Sequence, residues 1–90
     1  MANMFITIKF MPESPEVDLN KIREGAGEIA PKYEAKILDR DEIEPVAFGL
    51  KALKITLKLD ENKGSEEIND EMSQIEGVSS AEVIDMRREF

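Results

Sequence analysis

Apolar and polar side chains alternate from the start of the chain. Met4, Ile6, Ile8 and Phe10 fall on one side of an extended segment, and Thr7 and Lys9 on the other. Phe5 and Met11 make the second side mixed. The pattern predicts a strand buried on one face and partly covered on the other. Pro12 and Pro15 break it and open a loop. The period then becomes helical: Asp18 is a candidate N-cap ahead of Leu19, Ile22, Ala26 and Ile29, and Pro31 ends the stripe. Gly25 and Gly27 each cost such a helix about 1 kcal/mol relative to alanine. Gly25 flanks the stripe and suits a close helix–sheet approach; no packing role suggests itself for Gly27.

Tyr33 to Glu44 reads as a second extended segment, in which Ala35 and Ile37 alternate with Lys36 and Leu38 before the charged run Asp39-Arg40-Asp41-Glu42. Those charges and Pro45 are best tolerated on an edge strand. A tight turn at Phe48-Gly49 leads into the most regular alternation of the chain, Leu53, Ile55, Leu57 and Leu59 against Ala52, Lys54, Thr56 and Lys58. Asp60 to Gly64 has turn chemistry, and Ser65 is a candidate N-cap. Glu66 and Glu67 suit the first turn of a helix with an Ile68, Met72, Ile75 stripe, which Gly77 stops. Val78 to Met86 is the last strand, followed by Arg87-Arg88-Glu89-Phe90. The order βαββαβ predicts an α+β fold, a ferredoxin-like α/β sandwich. Its four antiparallel strands run 4-1-3-2, with both helices on one face.

Composition narrows the chemistry. Ninety residues suffice for a single domain, 1–90. The absence of cysteine and histidine removes disulfides, thiolate and zinc sites, and any nucleophile–imidazole pair. Twenty acidic residues against 12 basic ones give a net charge of −8, which repels phosphate backbones when the bases are scattered, as here. Basic surfaces on other proteins are the expected partners. A basic-then-apolar leader and an apolar run of membrane length are both missing, which predicts a cytoplasmic chain with no membrane partner.

Each cluster has a plain reading. Asp39, Asp41, Glu42 and Glu44 lie on the expected edge strand, with nothing to enclose them or raise a pKa and without the spacing of a calcium loop. No catalytic or metal site is expected. The glycines form no phosphate-cradling loop, so no nucleotide or other cofactor is expected on this chain. The open sheet face would carry Thr7, Lys9, Ala52, Lys54, Thr56 and Lys58 with Phe5 as its one aromatic, which is no base-stacking platform. Two features stand out. Phe48, between Ala47 and Gly49, is either tucked beneath its own hairpin or offered to a partner. Arg87 and Arg88 break the acidic trend at the end of the last strand.

The run Pro45-Val46-Ala47-Phe48-Gly49-Leu50-Lys51-Ala52-Leu53-Lys54-Ile55 closely resembles the characteristic segment of the translation elongation factor 1-beta family. The similarity continues through Ser80, Glu82 and Val83 to a basic residue near the end and covers the whole chain, as in the archaeal form. The resemblance implies a guanine-nucleotide exchange factor for the GTPase elongation factor 1-alpha. Such a factor is not an enzyme in the covalent sense. In eukaryotic relatives the turn phenylalanine enters a pocket on the GTPase, which carries over to Phe48. A lysine just before their C-terminus disturbs the magnesium at the nucleotide. Counting from Val83, that lysine falls on Arg88, with Arg87 the alternative. Phe48 and Arg88 would then lie at opposite ends of the sheet, roughly 20–30 Å apart. Rival readings are a small-molecule-sensing regulatory domain of the same fold and, more remotely, an RNA-binding module.

Overall fold

The computed structural model describes residues 3–38, 41–60 and 65–88, without the Ser65 side chain. Among them, β1 spans Asn3–Pro12, α1 Leu19–Ile29, β2 Lys36–Ile37, β3 Glu42–Pro45, β4 Lys51–Asp60, α2 Ser65–Ser73 and β5 Val78–Arg88. The sheet runs β2–β4–β1–β5, with β3 also paired to β4, and all pairings are antiparallel. This is the α+β, ferredoxin-like arrangement.

The alternation in β1 is realised residue by residue. Met4, Ile6, Ile8 and Phe10 are buried, and their β4 partners Leu59, Leu57, Ile55 and Leu53 are buried opposite them. Both helices close over this one face, since Ile22 and Ala26 of α1 and Ile68 and Met72 of α2 belong to the same core. Each fully buried Ile or Leu contributes about 1.5–3 kcal/mol relative to exposure. Asp18 caps α1, its carboxylate accepting from the Asn20 backbone N–H at 2.9 Å. The proposed Ser65 cap lies outside the described side chains.

Three expectations are corrected. The second extended segment is not one strand. A 3₁₀ turn occupies Ala30–Tyr33, Glu34 is left-handed at φ 57, and two short strands then share one edge of β4. Their registers, Ile37 with Leu57 and Glu42 with Lys54, leave extra residues on the edge segment, which a continuous strand would not accommodate. Asp39 and Arg40 lie outside the described residues. As expected, β1 ends at Pro12, which pairs with Val78 beside a register shift, and the loop through Pro15 follows. Gly25 admits Ile75, of the turn after α2, rather than the sheet: a Cβ there would lie 2.9 Å from Ile75 Cγ2. Finally, Asp41 is not simply solvated. It is half-buried and ion-paired with Arg23 of α1, tying the edge to the helix layer. Gly27 faces open space, and nothing in the structure explains it.

Candidate functional site

The turn between β3 and β4 is built by two backbone hydrogen bonds, from Val46 N–H to the Leu50 carbonyl at 2.9 Å and from Leu50 N–H to the Ala47 carbonyl at 3.3 Å. To close in so few residues the chain turns left-handed at two consecutive positions, Phe48 (φ 62, ψ 28) and Gly49 (φ 74). Glycine tolerates this conformation; for phenylalanine it costs about 1–2 kcal/mol. The result is a ring 92% exposed, so of the two alternatives the structure takes the one in which the side chain is offered. Ala47 and Gly49 on either side are also exposed and leave the ring unshielded. Pro12, Ser14 and Leu19 flank Gly49 and Lys51 around a small hollow, so the β1–α1 loop sits beside this turn.

Arg87 and Arg88 are not there. Arg88 pairs with Met4 and Arg87 with Phe5, at the start of β1, whereas the turn adjoins Lys51, beyond the Phe10–Leu53 pair. Met4 also pairs with Leu59, and the strand from Lys51 to Leu59 is roughly 26 Å long at about 3.3 Å per residue. The two sequence-predicted features occupy opposite ends of a molecule 42 Å in its longest extent. They do not form one site.

A bulge sets the register of this end. Thr7 pairs with Asp85 but Ile8 with Val83, leaving Ile84 as an extra residue in β5. Because side chains alternate faces, the insertion reverses the parity of everything after it. By register Arg87 stands opposite Phe5 and Arg88 opposite core-facing Met4, yet both arginines are exposed and both line one hollow on the open face with Phe5, Thr7, Lys54 and Thr56. Arg87 Nε meets Asp85 Oδ2 at 3.1 Å. Ile84 and Met86 are exposed beside them. Unbroken pairing from Val83 would set Arg87 opposite Met4, and no residue in this segment announces the bulge.

Residues 5–88 match the family described as the EF-1 guanine nucleotide exchange domain. The chain belongs to that family. It is 43% identical over 89 residues to the elongation factor 1-beta of Methanothermobacter thermautotrophicus, with 98% of each chain covered. It is 40% identical over 91 residues to that of Metallosphaera sedula, covering 98% of this chain and 97% of the relative. The family match begins at Phe5, takes in the whole Phe48 turn and reaches Arg88.

The open face between the two ends is polar and largely self-neutralised. Lys54 Nζ lies 2.6 Å from Glu44 Oε2. That contact, mainly through its hydrogen bond, holds the Glu44 carboxyl below its ordinary range and raises Lys54. Thr7 and Thr56 hydroxyls meet at 3.1 Å, and Lys58 Nζ sits 6.0 Å from the centre of the Phe5 ring. Among the described residues the one aromatic of this face is thus already engaged by a cation. Among the described residues no group of acidic side chains could hold a metal ion, and no helix is long and apolar enough to cross a membrane.

Proposed function

We propose that residues 1–90 act as a single exchange domain that promotes GDP release from, and GTP reloading of, the GTPase translation elongation factor 1-alpha in the cytoplasm. The observation that carries this reading is the family match, which spans both ends of the sheet. The domain makes no covalent change and binds no nucleotide, nucleic acid or membrane itself. It binds the nucleotide-free GTPase best, so by linkage it weakens GDP binding by the same factor.

The separation of the two features gives the mechanism its form. Phe48, flanked by Ala47 and Gly49, anchors in an apolar pocket of the GTPase, where burying its exposed ring contributes about 1.5–3 kcal/mol. Arg88, a sheet length away, brings positive charge toward the magnesium that bridges the nucleotide phosphates to the GTPase, and repels it. Arg87 lies beside it, its charge partly engaged by Asp85. An arginine spreads its charge over a planar fork and also suits pairing with a phosphate or a carboxylate ligand of the ion. Anchor and charge work as a rigid bridge because the same β4–β1–β5 ladders connect them.

Release of fluorescent GDP from the cognate GTPase, with substoichiometric exchange domain, tests the assignment. Phe48→Ala should lower the rate at limiting concentration by roughly tenfold, as expected for loss of a buried aromatic anchor. Arg88→Ala should lower the maximal rate even at saturation, and the double variant should be near the spontaneous rate. An unchanged rate in the double variant rules these two residues out.

A further inference from the structure

A second surface lies on the helix side, outside the features used above. A cleft of about 680 Å³ runs between α1 and the turn that follows α2. Its floor is aliphatic, with Val17, Ile29 and Ile75 half-buried against the core. Gly25 and Gly77 let the walls close in, since a Cβ would lie 2.9 Å from Ile75 at the first and 3.0 Å from Val17 at the second. Its rim is acidic: Glu16, Asp18, Glu24, Glu28 and Glu76, against Lys21 alone.

The fold does not account for this rim. Asp18 is used as the helix cap, but Glu16, Glu24, Glu28 and Glu76 have no ion pair among the described residues. Other carboxylates do, as in Asp41 with Arg23, Glu71 with Lys32 and Glu44 with Lys54. Glu24 and Glu28 are like charges four residues apart on one helix face, an arrangement that destabilises an isolated helix. Glu28 also stands in the last turn of α1, which contains no basic residue and where the helix dipole disfavours an anion. In α2, by contrast, Glu66 and Glu67 occupy the first turn, where the dipole favours them. The cleft therefore combines an apolar floor with unneutralised negative charge that weakens its own helix.

We propose that this cleft is a docking site for a lysine- or arginine-rich protein segment that carries aliphatic side chains on the same face. Charge complementarity selects the occupant: the rim repels phosphate and takes cations, while the floor takes a leucine- or isoleucine-sized group. The cleft lies across the β1–α1 loop from the Phe48 turn, with Val17 lining the hollows on both sides of that loop. The proposal does not rest on the exchange reading, and its variants should leave GDP release unchanged.

The test is an amide-shift NMR titration of the whole chain with a 14-residue amphipathic peptide of leucine and lysine, at about physiological salt, where long-range fields are screened beyond about 8 Å. Saturable shifts at Gly25, Ile75 and Gly77 are expected. Glu24→Gln with Glu28→Gln should weaken binding at least fivefold. Glu66→Gln with Glu67→Gln, the same charge change on α2, should weaken it less than twofold. Replacing the peptide leucines by alanine should abolish saturation. Glu28→Lys should abolish binding while raising Tm by about 2–4 °C, through relief of the like-charge pair and the dipole. Equal weakening by the two double variants would reduce the effect to net charge and overturn the proposal. So would shifts spread over α2, or a lowered Tm in Glu28→Lys. Concentration-dependent dimerisation that Glu24→Gln with Glu28→Gln removes would assign the cleft to a second copy and equally overturn it.

Discussion

At one end of the sheet a bulky side chain is held out by a left-handed backbone, in a turn closed by two hydrogen bonds. At the other, two arginines ride on regular strand, each paired to a residue of β1. The first arrangement is local: residues 46–50 and their dihedral angles are enough to project Phe48. The second is global, because which residues of β1 Arg87 and Arg88 pair with depends on the register of the whole β1–β5 ladder and on one bulge at Ile84. Damage to the turn should therefore leave the strand end intact. Damage to the core between them should disable both.

Two phenylalanines give the sharpest contrast. Phe10 is fully buried on the core face of β1, close to the turn end, while Phe48 is 92% exposed. Phe10→Ala should destabilise the fold by about 3–5 kcal/mol in urea unfolding. Phe48→Ala should move stability by no more than about 0.5 kcal/mol while slowing exchange. If Phe48→Ala proved as damaging as Phe10→Ala, the ring would be a packing element in solution and the turn would not be an independent anchor.

A pair of glycines separates turn conformation from helix propensity at smaller energies. Gly49 sits at φ 74, so Gly49→Ala should cost about 1–2 kcal/mol and tilt the neighbouring ring, slowing exchange as well. Gly27 lies within α1 with nothing near a would-be Cβ, so Gly27→Ala should stabilise by up to about 1 kcal/mol and leave exchange alone. Opposite signs from one chemical change would show that only the first glycine is needed for its backbone.

How much of this was legible in the sequence follows the same division. The core rows of β1 and β4 were readable because a buried face forces period-two alternation, and the α1 stripe because a helix forces its own. The turn was readable as a turn, since Phe48-Gly49 follows Pro45 closely, but Phe48 as a left-handed residue was not, because its neighbour is the one with the low-cost conformation. The split of the edge into β2 and β3 was hidden. Charged residues mark an edge but do not say where pairing lapses. The bulge at Ile84 left no local mark either, since an aliphatic residue fits an open strand and a bulge equally well, and with it went the pairing register of Arg87 and Arg88. The pairing of Asp41 with Arg23 depends on how the edge meets α1, a relation that local pattern does not carry.

The smallest expected effect concerns the strut beside the turn. Glu44 is in β3, next to Pro45, and its contact with Lys54 fastens that edge to β4. The hydrogen bond to Lys54 depresses the folded-state pKa of Glu44, so its contribution is present above the ordinary carboxylate range and is lost as pH falls through the depressed value. The same bond raises Lys54, whose contribution is complete below its ordinary pKa and is lost as pH rises through the raised one. Both groups are half-buried and still reached by solvent, so the pair is a weak tether, further weakened by salt. In Lys54→Met, the fall of Tm with acidification from about pH 6 to pH 2 should be shallower than in the parent, because one depressed carboxylate has been released. If the tether also holds the turn, the Lys54→Met exchange rate should become insensitive to salt where the parent rate is not. Equal acid slopes in the two proteins would mean that β3 is held by its backbone ladder alone, and that the turn owes its position only to its own dihedral angles.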